Sequence, residues 1–475
     1  MIFYPSPSTK LVDSQSGAAC QKHQTHVGSS VNLRYTFPLL AVSLLAITWV
    51  SQSVLRTSEK SAHCVCSHIK RRGLLRQIPV LEDYGLSAKF GFLPQEAPLG
   101  LLPDLCYNAW EDIVANLPAL IRDRGLRRAI DRLPTLDTSG LKDEAEWRRA
   151  YCLLCFMMQG YVWNGDSPMD RVPPQVAIPL LAVSEHLEIL PVATYAAVCL
   201  WNFRPVFHEN VGKLEQLTSL HTFTGLTDES WFYAISVAIE LQGAPILALG
   251  LRAIAAARRN DSVLITSCLR ACAERLIDLT RLLHRMQEGC NPGTFYHQIR
   301  PYLAGSKNMA EAGLPHGVIY DDGSGADQYR QYSGGSNCNF IHDMRQYMPA
   351  RHAAFLRDVG AVANVRQYVE NNTDDEGLCF AYNACLAELA ALRDKHIVIA
   401  ARYIINPSPK AQKLHSGDVD WRKGTGGTAL VPSLQQVRDE TKKQQIASRK
   451  NSVQSDKLST DGPCEMAVSG ALNRD

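Results

Sequence analysis

An all-α fold is predicted, on three observations. Apolar residues recur three and four apart over long stretches, as from Leu269 to Met286 and from Tyr382 to Tyr403. Alternation with a period of two is scarce, so strands are not a main component. No Gly-rich nucleotide loop follows a strand-like run. The chain has 475 residues, 46% hydrophobic and 20% charged. That globular balance excludes a wholly disordered, collagen-like or multi-span membrane protein. With 49 Lys+Arg against 47 Asp+Glu the formal net charge is +2, which offers nucleic acid no clustered basic footprint. Fourteen cysteines suggest disulfides, but Cys152, Cys155, Cys199, Cys268, Cys272 and Cys385 sit in apolar, helix-like runs. There a thiol behaves as a small hydrophobe, and a reducing, cytoplasmic compartment is expected.

Residues 1–35 are Ser-rich, with Asp13 their single acid. The apolar run Thr36–Val50 is shorter than the roughly 20 residues of a spanning helix and contains Pro38. It reads as a marginal membrane anchor, an interfacial helix, or sequence absent from the mature protein. His63–His68 (HCVCSH) lacks the second ligand pair a zinc site needs. From Ile78 onward amphipathic helices take over. Thr227-Asp228 is a cap pair for a helix through Trp231, Phe232, Ile235 and Ile239, which Gly243 and Pro245 are expected to break. Asp261 caps the next, and Gly289 and Pro292 stop it. The polar tail from Gln435 is expected to be disordered.

One helix, Asp375 to Tyr403, carries the most information. Its inward ladder is Tyr382, Cys385, Leu389, Leu392, His396, Ile399, Tyr403, so a histidine occupies a core position. Periodicity alone leaves two readings: a core imidazole satisfied by a hydrogen bond, or a ligand. The facing helices lack the Glu/His sets of a di-iron or zinc site. Arg393, one turn earlier, is placed to pair with an acidic group. A lone buried His with an Arg beside it suits axial haem ligation better than a multi-ligand metal site. His186, His284 and His352 lie beside charged residues and are expected to be solvated; His208 and His221 fall in loop-like sequence. No G-x-S-x-G elbow is present, which argues against a serine hydrolase.

Eight segments in order resemble the indoleamine 2,3-dioxygenase family, especially its fungal members: GYVWNGD (160–166), PVATYAAVCLWNF (191–203), WFYAISVAIE (231–240), NPGTFYHQIRPYLAG (291–305), YSGGSN (332–337), DMRQYMPARH (343–352), LRDKHIVIAARYI (392–404) and KGTGGT (423–428). The resemblance spans roughly Ile78 to Lys443. It implies a smaller N-terminal helical domain (78–205) and a large helical haem domain (206–434), after an atypical extension (1–77) and before the tail (435–475). It implies a haem b enzyme, expected as a monomer, that inserts O2 across the indole C2–C3 bond of tryptophan or another indoleamine to give N-formylkynurenine.

By the same resemblance His396 is the proximal iron ligand, with Arg393 beside the cofactor. Phe232, Tyr233 and Ser236 line the distal pocket. Phe295, Tyr296 and Arg300 form the substrate wall, with Arg300 on the carboxylate. Gly335 and Ser336 touch substrate and a haem propionate, and Thr425 lies in a closing loop. The chemistry agrees: a guanidinium grips a carboxylate bidentately, aromatic walls hold an indole, and a serine beside the open iron position is not a strong ligand.

The chain departs from the family at one point. Members carry a further helix between the GGS loop and the DMRQYMP segment, supplying an Asp to the arginine matching Arg393. Here Asn337 runs straight into Cys338. Either a coding segment is missing, the reading that the abrupt junction favours, or this is a haem-binding paralogue that has lost turnover. An all-α interaction protein without haem is the third alternative.

Overall fold

A computed structural model of the chain describes residues 76–205, 213–333, 345–405 and 430–447. The apolar run 36–50, the HCVCSH cluster, His208, the Asn337–Cys338 junction and the expected site residues Gly335, Ser336 and Thr425 lie outside the described residues.

Three short helices, α1 (Asn108–Ala115), α2 (Leu117–Arg122) and α3 (Leu126–Asp131), surround α4 (Glu144–Trp163). The Asp143 carboxylate caps α4, accepting from the amides of Ala145 (2.9 Å) and Glu146 (3.0 Å). From Arg149 to Val162 every residue is buried, as befits a helix apolar on nearly all sides. Arg127 of α3 closes its far end, donating to the carbonyls of Tyr161, Val162 and Ser167. β1 (Arg171–Val172) leads into α5 (Pro174–His186), whose first-turn proline lacks a donor the helix would leave unused anyway. β2 (Phe203–Pro205) pairs antiparallel with β3 (Leu217–Ser219). β1 runs parallel to β4 (Val318–Tyr320) in the register Arg171 to Ile319, and β5 (Tyr329–Arg330) completes that sheet antiparallel to β4.

The larger helices are α6 (Thr227–Arg258), α7 (Ser262–His284), α8 (Ala350–Val362), α9 (Val365–Asn371), α10 (Glu376–Ala400) and α11 (Leu430–Lys442). α7 packs extensively against both α6 and α10. Ser262 donates to the Asp375 carboxylate, so α7 and α10 start side by side and run the same way. Asp261 caps α7 at the Leu264 amide (2.9 Å) and Asp375 caps α10 at the Leu378 amide (3.0 Å). The α7 ladder read from sequence, Leu269, Cys272, Leu276, Leu279, Leu283 and Met286, is wholly buried. The nine described cysteines are in no disulfide, and the six named above are buried.

Four expectations are corrected. Pro245 does not end a helix: α6 runs through it to Arg258. A mid-helix proline costs one hydrogen bond and some bending, but apolar burial on both sides outweighs that locally, with Ala244, Ile246 and Leu247 all in the core. The backbone of Gly91 lies directly on this stretch. A Cβ there would meet the Ala244 Cβ at 3.1 Å and the Glu240 carbonyl at 3.4 Å, and φ is +60°. Second, Thr227 and Asp228 do not cap α6. Asp228 accepts instead from the Asn291 amide (2.7 Å), and buried Glu229 accepts from the Phe223 and Thr224 amides (2.8 Å each). Third, the polar tail begins as α11, packed on α10. Asp394 of α10 binds Arg438 (2.8 Å) and Lys442 (3.2 Å), and the Asn383 side chain exchanges hydrogen bonds with the Ile446 backbone (2.8 and 2.9 Å).

Fourth, His352 is buried, edge-on to Phe92 at 5.2 Å, although its neighbours in sequence are charged. His186 stays half-exposed, stacked on Trp147, and His284 is exposed. Burial lowers the pKa of His352, His221 and His396 to about 3 each, with Arg148 adding to the effect at His352 and Arg149 at His221. Folding therefore excludes a proton that the unfolded imidazole binds below its ordinary value of 6.5. Stability is full above that pH and falls as pH drops from 6.5 toward 3, by up to about 1.4 kcal/mol per unit for each histidine. Urea midpoints measured from pH 7 to pH 4 should decline, and His352→Leu should flatten the slope. An unchanged slope would refute the burial of that imidazole.

One buried ion pair ties α1 to α4. Glu111 receives Arg149 through both carboxylate oxygens, and its Oε1 also accepts from the Leu102 amide (2.9 Å). Arg149→Met strands a buried carboxylate and should cost about 3–5 kcal/mol. Adding Glu111→Leu should recover most of that loss in denaturant titrations.

Candidate active site

The stripe of α10 is buried throughout: Tyr382, Cys385, Leu389, Leu392, His396, Ile399 and Tyr403 are each at most 6% exposed. On this stripe the imidazole of His396 is kept neutral by desolvation. A neutral imidazole is the form that ligates a metal. Among the described residues no group of three His, Cys, Asp or Glu side chains is placed to hold a bare ion. One imidazole donor on a helix with a buried inward stripe fits a macrocycle that brings four donors of its own. The donor chemistry therefore fits haem and does not fit a zinc or di-iron centre.

From that stripe a chain of rings leads to α6. Two turns beyond His396, Tyr403 donates to the Cys290 carbonyl (2.6 Å) and meets Phe295 edge-on at 5.8 Å. Phe295 lies 4.9 Å from Phe232, and Phe232 lies 5.6 Å from Tyr233. Ser236, one turn past Phe232, is fully buried and donates to the Phe232 carbonyl (3.3 Å). Tyr233 offers only its ring to the cluster, because its hydroxyl donates to Glu229 (2.9 Å). That carboxylate is buried, and desolvation raises its pKa although it is well supplied with donors.

Arg300 is 2% exposed, with its guanidinium 5.4 Å from the Tyr296 ring centre. Burial lowers its pKa to about 10, partly opposed by Tyr296, so it keeps its charge at neutral pH. The structure thus packs Phe232, Tyr233, Ser236 and Phe295 together beside the His396 stripe, and the π-turn that starts at Phe295 carries Tyr296 and ends at Arg300. Arg393 is turned elsewhere: it donates to the Val437 carbonyl of α11 (3.1 Å) with Glu440 nearby. In this structure Arg393 finds a backbone carbonyl and the nearby charge of Glu440 on α11.

Sequence reasoning missed the backbone device that places these groups. Among the described residues three π-turns occur, at Ala196–Leu200, Phe295–Ile299 and Ala401–Ile405. Each widens a helical turn by one residue, and such turns recur at functional sites. They set Phe295 and Tyr296 on one wall and Tyr403 on another. No local residue pattern signals them. The buried residues Tyr195 and Glu240 were missed as well.

The sequence model of the family described as indoleamine 2,3-dioxygenase matches residues 80–339 and 337–444. This chain belongs to the indoleamine 2,3-dioxygenase family. It is a haem-dependent dioxygenase acting on tryptophan or an indoleamine and O2. An indoleamine 2,3-dioxygenase of Penicillium citrinum is 40% identical over 385 residues, covering 76% of this chain and 88% of the relative. One from Saccharomyces cerevisiae is 37% identical over 435 residues, covering 78% and 95%. A 6-hydroxytryptophan 2,3-dioxygenase of Fusarium equiseti is 35% identical over 390 residues, covering 76% and 96%. The family match breaks in two at residues 337–339, the place where the sequence departs from the indoleamine dioxygenase pattern.

Proposed function

We propose that the chain opens the C2–C3 bond of L-tryptophan to give N-formylkynurenine, with His396 as the iron ligand and Arg300 as the carboxylate clamp. The observation that carries this reading is the ring chain joining the His396 stripe to the buried α6 residues through Phe295, whose π-turn ends at buried Arg300. When bound, haem supplies the activation of O2 that no amino-acid side chain provides. The protein's own residues do the rest. His396, neutral and held on a rigid helix, presents a nitrogen lone pair. Phe232, Phe295 and Tyr296 grip the indole by area and ring geometry. Arg300 binds the carboxylate; in a buried site that ion pair is strong, because water does not compete for either charge. Ser236 places a hydroxyl, and no strong ligand, next to the reacting indole. Their burial keeps bulk water away from the reacting atoms.

A tryptophan derivative with a substituted ring is a second substrate class, favoured by the Fusarium relative's name. The test is direct. The purified chain is loaded with hemin, its Soret band recorded, and N-formylkynurenine followed after tryptophan, reductant and O2 are added. A haem-loaded chain that forms no product overturns the reading. Reading the transcript across Asn337–Cys338 decides the missing-segment hypothesis, which a message running straight through would refute.

A further inference from the structure

Phe156, Gln159 and Trp163 stand three and four apart on α4 and so share one face of it. That face holds the turn that carries Arg300. Arg300–Leu303 is a short 3-10 turn with Ala304 as its C-cap. The Ala304 carbonyl accepts from Gln159 Nε2 (2.5 Å) and from Trp163 Nε1 (3.0 Å), which uses both lone pairs of that oxygen. Gln159 is 3% exposed and Ala304 1%, so bulk water is a poor substitute for either donor. Phe156 reaches the same turn through a second ring. It stacks on Phe223 (4.5 Å, 24° between planes), and Phe223 stacks on Tyr302 (5.2 Å, 9°). The Phe223 amide is fixed in turn by Glu229 of α6 (2.8 Å).

Pro301 shows why the turn needs outside anchors. A proline disfavours helical backbone in the residue before it, yet Arg300 is helical, with φ −55° and ψ −36°. The local sequence does not select the conformation that aims this side chain; the contacts made at Tyr302 and Ala304 hold it. We propose that Gln159 and Trp163 are positioning residues for the substrate carboxylate, acting through the Ala304 carbonyl to fix where the Arg300 guanidinium lies. This rests on the reading of Arg300 as the carboxylate clamp. Neither residue needs to touch substrate.

The test compares tryptophan with tryptamine, which lacks the carboxylate, through the dissociation constants read from the ligand-induced Soret shift of the haem-loaded chain. Trp163→Phe keeps an aromatic ring and removes the N–H; Gln159→Leu removes the amide. Each single variant should lower the preference for tryptophan about threefold, and the double variant about tenfold, with tryptamine binding within about twofold of wild type. In an Arg300→Leu background the same two changes should leave the preference where Arg300→Leu alone puts it, because all three act on one interaction. A double variant with the wild-type preference, equal losses for both ligands, or a further loss in the Arg300→Leu background would each overturn the proposal. If the double variant does not fold, Trp163→Phe decides, and a wild-type preference there overturns it. If Arg300→Leu itself keeps the wild-type preference, the clamp reading falls and this proposal with it; if Arg300→Leu abolishes the preference, a failure of the α4 variants counts against the positioning alone.

Discussion

His396→Ala should abolish haem retention: hemin-loaded protein passed over a desalting column should lose its Soret band, while Ser236→Ala keeps it. The reason is that this helix offers one imidazole donor. Among the described residues no cluster of ligating side chains stands by to replace it, and the imidazole is delivered from the buried stripe of a helix capped at Asp375. Activity should fall to the background of free hemin, a loss of several orders of magnitude, since the O2 chemistry leaves with the cofactor. The fold should survive, because the substitution removes one partly polar side chain from an otherwise apolar stripe; helical circular dichroism should be unchanged. Equal haem retention by both variants would refute the ligand assignment.

Arg300→Leu should raise KM for tryptophan by about a hundredfold or more while the Soret band persists. Removing one partner of a buried, hydrogen-bonded charge pair costs about 2–5 kcal/mol, and about 1.4 kcal/mol is a factor of ten. The discriminating measurement is the ratio of kcat/KM for tryptophan to that for tryptamine, which lacks the carboxylate. Wild type should prefer tryptophan strongly, and the variant should not. Because burial lowers the pKa of this guanidinium to about 10, the clamp is charged throughout the neutral range and loses its proton only as pH rises through that value. KM should therefore be flat from pH 6 to 8 and climb above pH 10. A preference for tryptophan that survives in Arg300→Leu would move the clamp elsewhere.

The α10 stripe was legible because its signal is local and redundant: seven positions in the 3-4 rhythm, a capping aspartate, and one polar residue out of pattern. The α7 ladder was legible on the same grounds. Pro245 misled, since its local preference to start a helix is real but small against the apolar burial that α6 gains by continuing. The tail from Gln435 misled in the opposite sense. Its polar residues are not solvent-facing padding but partners, with Arg438 and Lys442 meeting Asp394, and Gln444 meeting Arg366 at 2.7 Å. A segment whose affinity is for a surface more than forty residues upstream carries no periodic signature of it. His352 misled because a charged sequence neighbour says little about burial when successive residues of a helix point about 100° apart.

The linear order of residues settled the helical class, the ladders of α7 and α10, the family, and the placement of one imidazole among apolar neighbours. These follow from short-range preferences and from a spacing that any reader of the chain can measure. Only the folded arrangement decided where Arg393 points, which carboxylates lie under the core at Glu111, Glu229 and Glu240, and how three widened turns bring aromatic walls to one place. The free energy of burying a polar group is set by donors and acceptors from distant segments. It therefore exists only once those segments have met.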